Sequence, residues 1–406
     1  MPELGLLTGE ALAYLQALSG NFSKEAFHRE QCVLASQTLQ EASPGVPTDL
    51  TLFDCLHNAV LTDIKCGLLN VATLQEAREV ARRVGKGGKG LVRTCDMTEV
   101  VAAVDGSHPS LTLDEASERA TALTEEIEEG CGGEVALTAS AYLVMGSALH
   151  RISKESNGAA VAAKAAWSKG VQAVGSPCIE AEALVKVGGL LYLSRLHLDH
   201  KEYAEADQAA SDALAAAEQA QLPHAVSQAV CQLGVVRKRT GDFIVAEGLL
   251  RSCTNALIQA RPGRCLTTWE MVVLGTATEE HCDLLSSMTF NSHSRQPEAD
   301  LVREKFEQIA RAFPVTANAA LRLRQGGLQH WYHLSLCPAP PTILRCLGFH
   351  CVCVVKTLIA STPGMSDPFR PICPRYCSRR IELASGAART TTHPSYVILL
   401  QKASAV

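Results

Sequence analysis

A short apolar pattern recurs forty residues apart in the middle of this chain. A recurrence of that length indicates a pair of helices that cannot bury its own apolar face, so each pair must pack against the next. The sequence therefore predicts an all-α fold, an α-solenoid of antiparallel helix hairpins. The matching positions of the two clearest copies are Leu190 and Val230, Leu193 and Leu233, Ser194 and Gly234, Tyr203 and Phe243, and Ala206 and Ala246.

Apolar residues at helical spacing extend this arrangement toward both ends of the chain. Thr112 with Glu115 three residues on predicts a capping box at one helix start, and the run Gly85 to Gly90 predicts a flexible loop. The predicted pairs are 6–18 with 23–39, 52–69 with 74–84, 92–104 with 113–127, 135–150 with 159–174, 181–197 with 203–220, 225–239 with 243–260 and, less regular, 265–285 with 297–313, before a closing helix at 317–332.

These patterns divide the chain into four predicted regions. Residues 1–135 form divergent N-terminal hairpins, and residues 136–262 hold the best-matching repeats. Residues 263–330 form a degenerate repeat and a capping helix. Residues 331–406 hold eight of the seventeen prolines and six of the sixteen cysteines, and they show no helical period. We therefore expect an irregular C-terminal tail.

Charge is distributed unevenly along the chain. The net charge is −5, but residues 1–330 carry −11 and residues 331–406 carry +6. Because contacts to phosphates dominate the affinity for nucleic acids, an acidic body argues against a general nucleic-acid binder. The period is also longer than the roughly thirty-five residues of helical repeats that read one RNA base each. We expect no nucleic-acid partner.

Several features argue against a membrane or secreted protein. The first twenty residues contain Glu3 and Glu10 but no Lys or Arg, unlike a targeting signal. The longest apolar stretch, 346–360, is interrupted by His350 and Lys356 and is too short to cross a bilayer. Ten cysteines are scattered through the body without paired spacing, which predicts buried free thiols and a reducing compartment. We therefore expect a cytoplasmic protein with no membrane partner.

The recurring positions resemble the tetratricopeptide repeat (TPR) superfamily. In that family Leu and a small residue follow a large apolar residue in the first helix, and an aromatic residue stands three positions before Ala in the second. Leu233, Gly234, Phe243 and Ala246 follow this order, as do their counterparts forty residues earlier, and Gly146 keeps the small position in the fourth pair. The period is similar to that of the long-period MalT-like and kinesin light chain-like members. The resemblance implies a right-handed superhelix in which small residues let helices approach and the aromatic ring fills the gap to the next hairpin.

The resemblance also implies where a partner would bind. In TPR proteins the first helix of each hairpin lines a concave groove, and positions shortly after the small residue point into it. Here those positions include Arg151, Arg195, Lys238 and Arg239, which predicts a basic stripe suited to the carboxylates of an acidic peptide. The asparagines of carboxylate-binding repeats are not matched. A second interpretation is that these cations are solvated ends of helices, where the macrodipole favours them.

No residue pattern indicates catalysis, a cofactor or a metal. A phosphate loop needs Lys and then Ser or Thr directly after its last Gly, whereas Leu91 follows Gly90 here. The acidic run 125–129 is sequential, so we expect it to be solvated. Two histidine pairs spaced by three residues, and the cysteines of the tail, lack the full ligand spacing of a zinc site. The histidines are His197, His200, His330 and His333, and the tail cysteines are Cys337, Cys346, Cys351, Cys353, Cys373 and Cys377.

The sequence therefore favours a non-catalytic scaffold that binds a protein or peptide partner in a concave TPR groove. The alternative is a regulatory or oligomerisation module of a larger assembly, which would bind through its convex or terminal faces. The two hypotheses differ in a simple observable. Charge reversal in the groove abolishes a partner under the first, whereas mass rises with concentration under the second.

Overall fold

The structure is a computed structural model. It describes residues 2–18, 21–85, 88–130, 135–152, 157–175, 177, 180–259, 266–290 and 293–325. The chain divides into two units, 1–348 and 349–406, and every described residue belongs to the first. The predicted tail, 331–406, lies outside the described residues.

The described residues form fifteen helices, which confirms the predicted α-solenoid of hairpins. Two short strands, β1 (Thr289–Phe290) and β2 (His293–Ser294), pair antiparallel where the sequence predicted only a polar loop. The helices are α1 Pro2–Leu18, α2 Phe22–Ala42, α3 Val46–Cys66, α4 Val71–Arg83, α5 Gly88–Asp105, α6 Leu113–Gly130, α7 Val135–Ile152, α8 Asn157–Val174, α9 Glu180–Asp199, α10 Tyr203–Gln219, α11 Pro223–Arg239, α12 Phe243–Gln259, α13 Thr268–Ser287, α14 Gln296–Ala312 and α15 Pro314–Gln325.

Helix contacts follow the order of the chain, as a solenoid requires. The first helices of the hairpins, α3, α5, α7, α9, α11 and α13, each contact the next and form one continuous layer, here called the inner layer. Each second helix from α4 to α12 packs against the first helix before it and the one after it. The last helix, α15, packs on α13 and α14. The stack is therefore two helices thick, with no break between neighbouring hairpins from α3 to α13.

Two glycines allow inner-layer helices to approach their partners closely. A Cβ atom added to Gly146 would lie 2.5 Å from the Trp167 ring, and one added to Gly234 would lie 2.9 Å from Leu250 Cγ. Both distances are shorter than a carbon contact allows. Leu233, beside the second glycine, is half-buried. Glycine at these positions therefore lets a large side chain of the second helix sit directly on the first.

Ser194 occupies the same small position in α9 and adds polar contacts. Its hydroxyl donates to the carbonyl oxygen of Ala206 (2.9 Å) and accepts from the side-chain amide of Gln232 (3.1 Å). Ala206 and Ala246 are fully buried, and Leu193 is buried beside them. One hydroxyl therefore joins α9, α10 and α11, three helices of two successive hairpins.

The glycine run departs from its prediction as a flexible loop. Helix α5 begins at Gly88, within the run, and not near Val92. A Cβ atom on Gly88 would lie 1.8 Å from the carbonyl oxygen of Ala81 in α4. Gly85 turns the chain with φ of +79°, a conformation that glycine adopts without strain. The run therefore supports a close crossing of two helices, which sequence composition alone did not indicate.

Two helix starts carry reciprocal caps. At α6, the amide of Thr112 donates to Glu115 Oε2 (2.9 Å) and the amide of Glu115 donates to Thr112 Oγ1 (3.3 Å), which confirms the predicted capping box. Thr267 and Glu270 make the same pair of bonds at α13. These bonds satisfy amides that the helix itself leaves without acceptors.

Cysteines serve as small core residues. All seven cysteines in the described part of the chain are free, and six are buried, Cys66 being the exposed one. The thiols of Cys253 and Cys282 donate to backbone carbonyl oxygens at 3.4 and 3.3 Å. Burial raises the pKa of the Cys95 thiol to about 12, so it stays protonated and unreactive near neutral pH. The prediction of buried free thiols is confirmed for these six.

Candidate partner-binding surface

The four predicted groove cations lie toward the C-terminal ends of three inner-layer helices. Arg151 is exposed near the end of α7, Arg195 is exposed in α9, and Lys238 and Arg239 end α11. Because α7, α9 and α11 contact one another in order, these helix ends follow each other along the layer. Cations there also interact favourably with the helix macrodipoles, which explains part of the pattern without a ligand.

Lys238 forms ion pairs within the chain, whereas the sequence predicted a cation that faces the groove. Its ammonium group donates to Glu280 Oε2 (2.8 Å) and lies 3.7 Å from Asp283 Oδ2, both in α13. The Lys238 side chain is 15% exposed. It therefore joins two consecutive inner-layer helices, and a ligand carboxylate would have to displace Glu280 to reach it.

The other three cations are accessible to a partner. Arg195 pairs with Asp199 on its own helix at 3.5 Å, and both side chains are about half exposed. Exposed pairs of this kind contribute little to stability, so a ligand carboxylate can replace Asp199 at small cost. Arg151 and Arg239 are exposed. Three of the four predicted groove cations are therefore exposed in the structure.

The two aromatic rings of the repeat pattern are less buried than expected. Tyr203 is 38% exposed and Phe243 is 42% exposed, so neither ring seals a gap between hairpins as the resemblance implied. Each is the first residue of its helix, and the buried alanine three positions later enters the seam instead. The expectation of a plugging aromatic is wrong here, because aliphatic residues pack beside the alanine instead: Val236, Leu198 and Leu233 surround Ala206.

A buried polar cluster in the first hairpins was not predicted. Lys65 of α3 donates to both carboxylate oxygens of Glu25 in α2 at 2.8 Å, and Thr62 donates to Glu25 Oε1 at 3.0 Å. Arg29 lies 3.6 Å from the same carboxylate, and the Lys65 ammonium lies 5.3 Å from the centre of the Phe22 ring. Multiple partners of this kind make burial of the charges tolerable. The signal in the sequence was the helical spacing of Phe22, Glu25 and Arg29, which places charges on the apolar stripe of α2.

Glu10 of α1 lies beside that cluster with an unsatisfied oxygen. It is 5% exposed, and its Oε2 atom has no hydrogen-bond partner among the described residues. Burial raises the pKa of its carboxyl to about 7, against the lowering effect of Arg29. The Cys55 thiol is its neighbour, with Sγ 3.9 Å from Oε1. Glu10 therefore changes charge near neutral pH.

A second ion-pair network joins α4, α5 and α6. Arg78 lies 2.8 Å from Asp96 and 2.6 Å from Glu99, and Arg119 and His108 also approach Glu99 at 3.0 and 3.4 Å. Burial disfavours ionisation of Glu99, but hydrogen bonds and charge from Arg78 hold its pKa below the usual value. The network links two successive hairpins, α3–α4 and α5–α6.

This network borders a cavity of about 230 Å³ between α5 and α6. Each carboxylate in its wall already faces an arginine, Glu126 facing Arg93 at 3.1 Å. The cavity therefore gives no indication of a ligand. Its lining residues are Asp96, Glu99, Val100, Arg119, Ala122, Leu123 and Glu126.

Within the described ranges, no group of three or more His, Cys, Asp or Glu side chains is arranged to hold a metal ion. His197 contacts Glu202 at 2.5 Å, and Glu202 also accepts from Lys164 at 2.8 Å. These hydrogen bonds lower the pKa of Glu202 to about 2. The contacts connect α8 to the turn before α10 and are structural. His330, His333 and the tail cysteines lie outside the described residues.

No protein-family model matches this sequence, and no curated protein is significantly similar to it. Among solved structures, the apo form of RapI is similar with a TM-score of 0.45 and 10% sequence identity, over 81% of this chain and 85% of that chain. Among the described helices, none is both long and apolar enough to cross a lipid bilayer. The helix order and the continuous inner layer define the chain itself as a helical-repeat protein.

Proposed function

We propose that this chain is a non-catalytic, TPR-like scaffold that binds a protein or peptide segment along its inner layer. The observation that carries the proposal is the unbroken contact of α7, α9, α11 and α13, which gives an extended ligand a continuous surface. Helical-repeat stacks typically use such extended surfaces for binding.

The partner that fits this surface is acidic. Arg151, Arg195 and Arg239 follow one another along the layer with their side chains exposed. A guanidinium group can bind a carboxylate through two parallel hydrogen bonds, which favours Asp, Glu or a chain terminus in the ligand. Lys238 takes no direct part in this proposal, because Glu280 already occupies it. A nucleic acid is disfavoured by the acidic body of the chain.

The proposed setting is the cytoplasm. The support for it is chemical: the seven cysteines of the described residues are free thiols, which persist in a reducing compartment. The proposal of a non-catalytic role is supported by the buried charged side chains, because they pair with one another between helices. The buried ion pairs around Glu25 and Glu99 join neighbouring helices of the stack, which gives these charged groups a structural role.

The experiment is a peptide-display selection against the full-length chain. We expect enriched peptides to carry clustered Asp or Glu and to lose at least tenfold in affinity for the Arg151→Glu, Arg195→Glu double variant. The matched control is Arg303→Glu with Arg311→Glu, which reverses two exposed arginines on α14 outside the inner layer. Enriched peptides that bind the groove variant and the control variant equally would overturn the proposed surface.

A further inference from the structure

The first turn of α12 exposes three consecutive apolar side chains. Ile244 is 84% exposed, and its neighbours Phe243 and Val245 are 42% and 44% exposed. Tyr203 holds the position equivalent to Phe243 in the preceding hairpin, and both follow a turn between a first and a second helix. Because successive hairpins stack in order, these turns lie along one edge of the solenoid. The four residues are here called the α12 patch.

The fold does not require apolar residues at these positions. The buried stripe of α12 contains Ala246, Leu250 and Cys253, and Ile244 lies about 200° around the helix from Ala246, on the opposite side. Four other second helices place a glutamate directly before the buried alanine that enters the seam, whereas α12 has Val245 before Ala246. The equivalent pairs are Glu76 and Ala77, Glu115 and Ala116, Glu205 and Ala206, and Glu298 and Ala299. In α8 the same position holds the small residue Ala159, before the buried Ala160. A position that is charged in four hairpins, small in one and an exposed large apolar residue in α12 indicates a surface that is covered.

Charges around the patch indicate what covers it. Lys201, Glu205 and Arg239 are exposed and make no ion pair with any described residue. The rim therefore presents free charges of both signs around an apolar centre. The other charged residues that flank the patch are paired within the chain: Asp199 with Arg195, Glu202 with Lys164, Asp207 and Asp242 with Arg237, and Glu247 with Arg295.

A surface with both charges at its rim is complementary to itself. In a twofold contact, residue i of one copy faces residue j of the other, and j faces i in return. Glu205 of one copy can then face Arg239 of the second, and the reciprocal pair forms across the axis, while the α12 patches bury each other. A partner of one dominant charge would leave Glu205 or the two cations unpaired.

We infer that the α12 patch is the contact between two copies of this chain in a symmetric dimer. This inference can be tested separately from the proposed inner-layer function. It concerns the edge formed by the turns, it shares only Arg239 with the inner-layer surface, and the peptide test of that surface uses Arg151 and Arg195. The dimer places apolar side chains of Ile244 and Val245 at its centre and the Glu205–Arg239 pairs at its rim, as in protein interfaces with an apolar core and a polar border.

Sedimentation equilibrium of the full-length chain under reducing conditions tests the inference. We expect the mass to rise with concentration from the monomer value of 43.3 kDa toward twice that value. Ile244→Glu should weaken association at least tenfold, because it places a charge at the centre of the contact. Val161→Glu is the matched control: Val161 is 70% exposed on α8, outside the patch, and this variant should associate like the wild type.

Reversing the charges of Arg239 and Glu205 distinguishes a specific contact from nonspecific association. Arg239→Glu alone should weaken the dimer, and the double variant Arg239→Glu, Glu205→Arg should recover to within threefold of wild type, because the pair is restored with reversed signs. A wild-type chain that stays monomeric up to about 100 μM would overturn the inference and leave the patch to a different protein. Association that is unchanged by Ile244→Glu would overturn it as well.

Discussion

At the scale of single residues, Gly146 and Trp167 make one of the closest helix–helix contacts among the described residues. The indole ring is fully buried, stacks on Tyr192 with centroids 4.9 Å apart, and donates from Nε1 to the carbonyl oxygen of Leu143 at 3.2 Å. The ring is therefore fixed on several sides and cannot move away from α7. The hydrogen of Gly146 occupies the only space that remains.

Gly146→Ala should therefore lower the free energy of unfolding by about 1–3 kcal/mol, the usual cost of overpacking a rigid core. Urea denaturation followed by circular dichroism measures it. Gly248→Ala is the matched control, since Gly248 is also within a helix but has no heavy atom within 4 Å of the added carbon. The control should be neutral or stabilise by up to about 1 kcal/mol through helix propensity. Equal effects of the two substitutions would contradict the described contact.

Glu10 predicts an unusual pH dependence of stability. Its pKa is about 7 in the folded chain and 4.5 in the unfolded reference, so the folded state binds the extra proton. Its contribution to stability is therefore largest below pH 4.5 and is lost as the pH rises to about 7. Between pH 5 and pH 8 the free energy of unfolding should fall by up to about 3 kcal/mol from this group.

Glu10→Gln should remove this pH dependence, which urea titrations at pH 5 and pH 8 would show. Glu3→Gln, on the exposed part of the same helix, should leave it unchanged. If wild type and the Glu10 variant lose the same stability between the two pH values, the Glu10 carboxyl is not buried as described.

At the scale of elements, helix α12 shows what holds a hairpin in the stack. Its buried residues are small or branched aliphatic, and its one aromatic ring lies at the exposed first turn. The resemblance to TPR proteins correctly predicted a helix that begins at Phe243 and buries Ala246. It misassigned the burial of Phe243, because the pattern of residue types does not report how fully each side chain is covered.

Phe243→Ala should therefore cost no more than about 1 kcal/mol, while Leu250→Ala in the same helix should cost about 2–5 kcal/mol, because Leu250 is fully buried. Thermal and urea unfolding of both variants give the comparison. A loss for Phe243→Ala as large as that for Leu250→Ala would mean that the ring fills the seam after all.

The ion pair of Lys238 with Glu280 shows why part of the candidate site could not be predicted from the sequence. The sequence places it correctly at the end of α11, but its partner Glu280 lies forty-two residues away in α13. The side chains at that crossing depend on the rise and rotation between two hairpins, which a repeat pattern does not specify. Arg195 and Asp199, four residues apart on one helix, could have been paired from spacing alone.

At the scale of the whole molecule, the repeat period predicted most of the fold. A pair of helices with alanine-lined faces must stack on another pair, so the number and order of hairpins followed from the spacing of Ala116, Ala206 and Ala246. Polar residues within the core, such as Glu25 and Lys65, do not follow from that rule. They depend on partners in the neighbouring hairpin, which the repeat pattern does not specify.

The central claim is that consecutive first helices contact one another in a continuous layer, and zero-length carbodiimide cross-linking with peptide mass spectrometry tests it most directly. The reagent joins an amine to a carboxylate in direct contact. We expect a Lys238–Glu280 cross-link between α11 and α13, together with a Lys164–Glu202 cross-link between α8 and the turn before α10, since the amine and carboxylate of each pair lie 2.8 Å apart. Recovery of Lys164–Glu202 without any link from Lys238 to α13 would contradict the continuous layer.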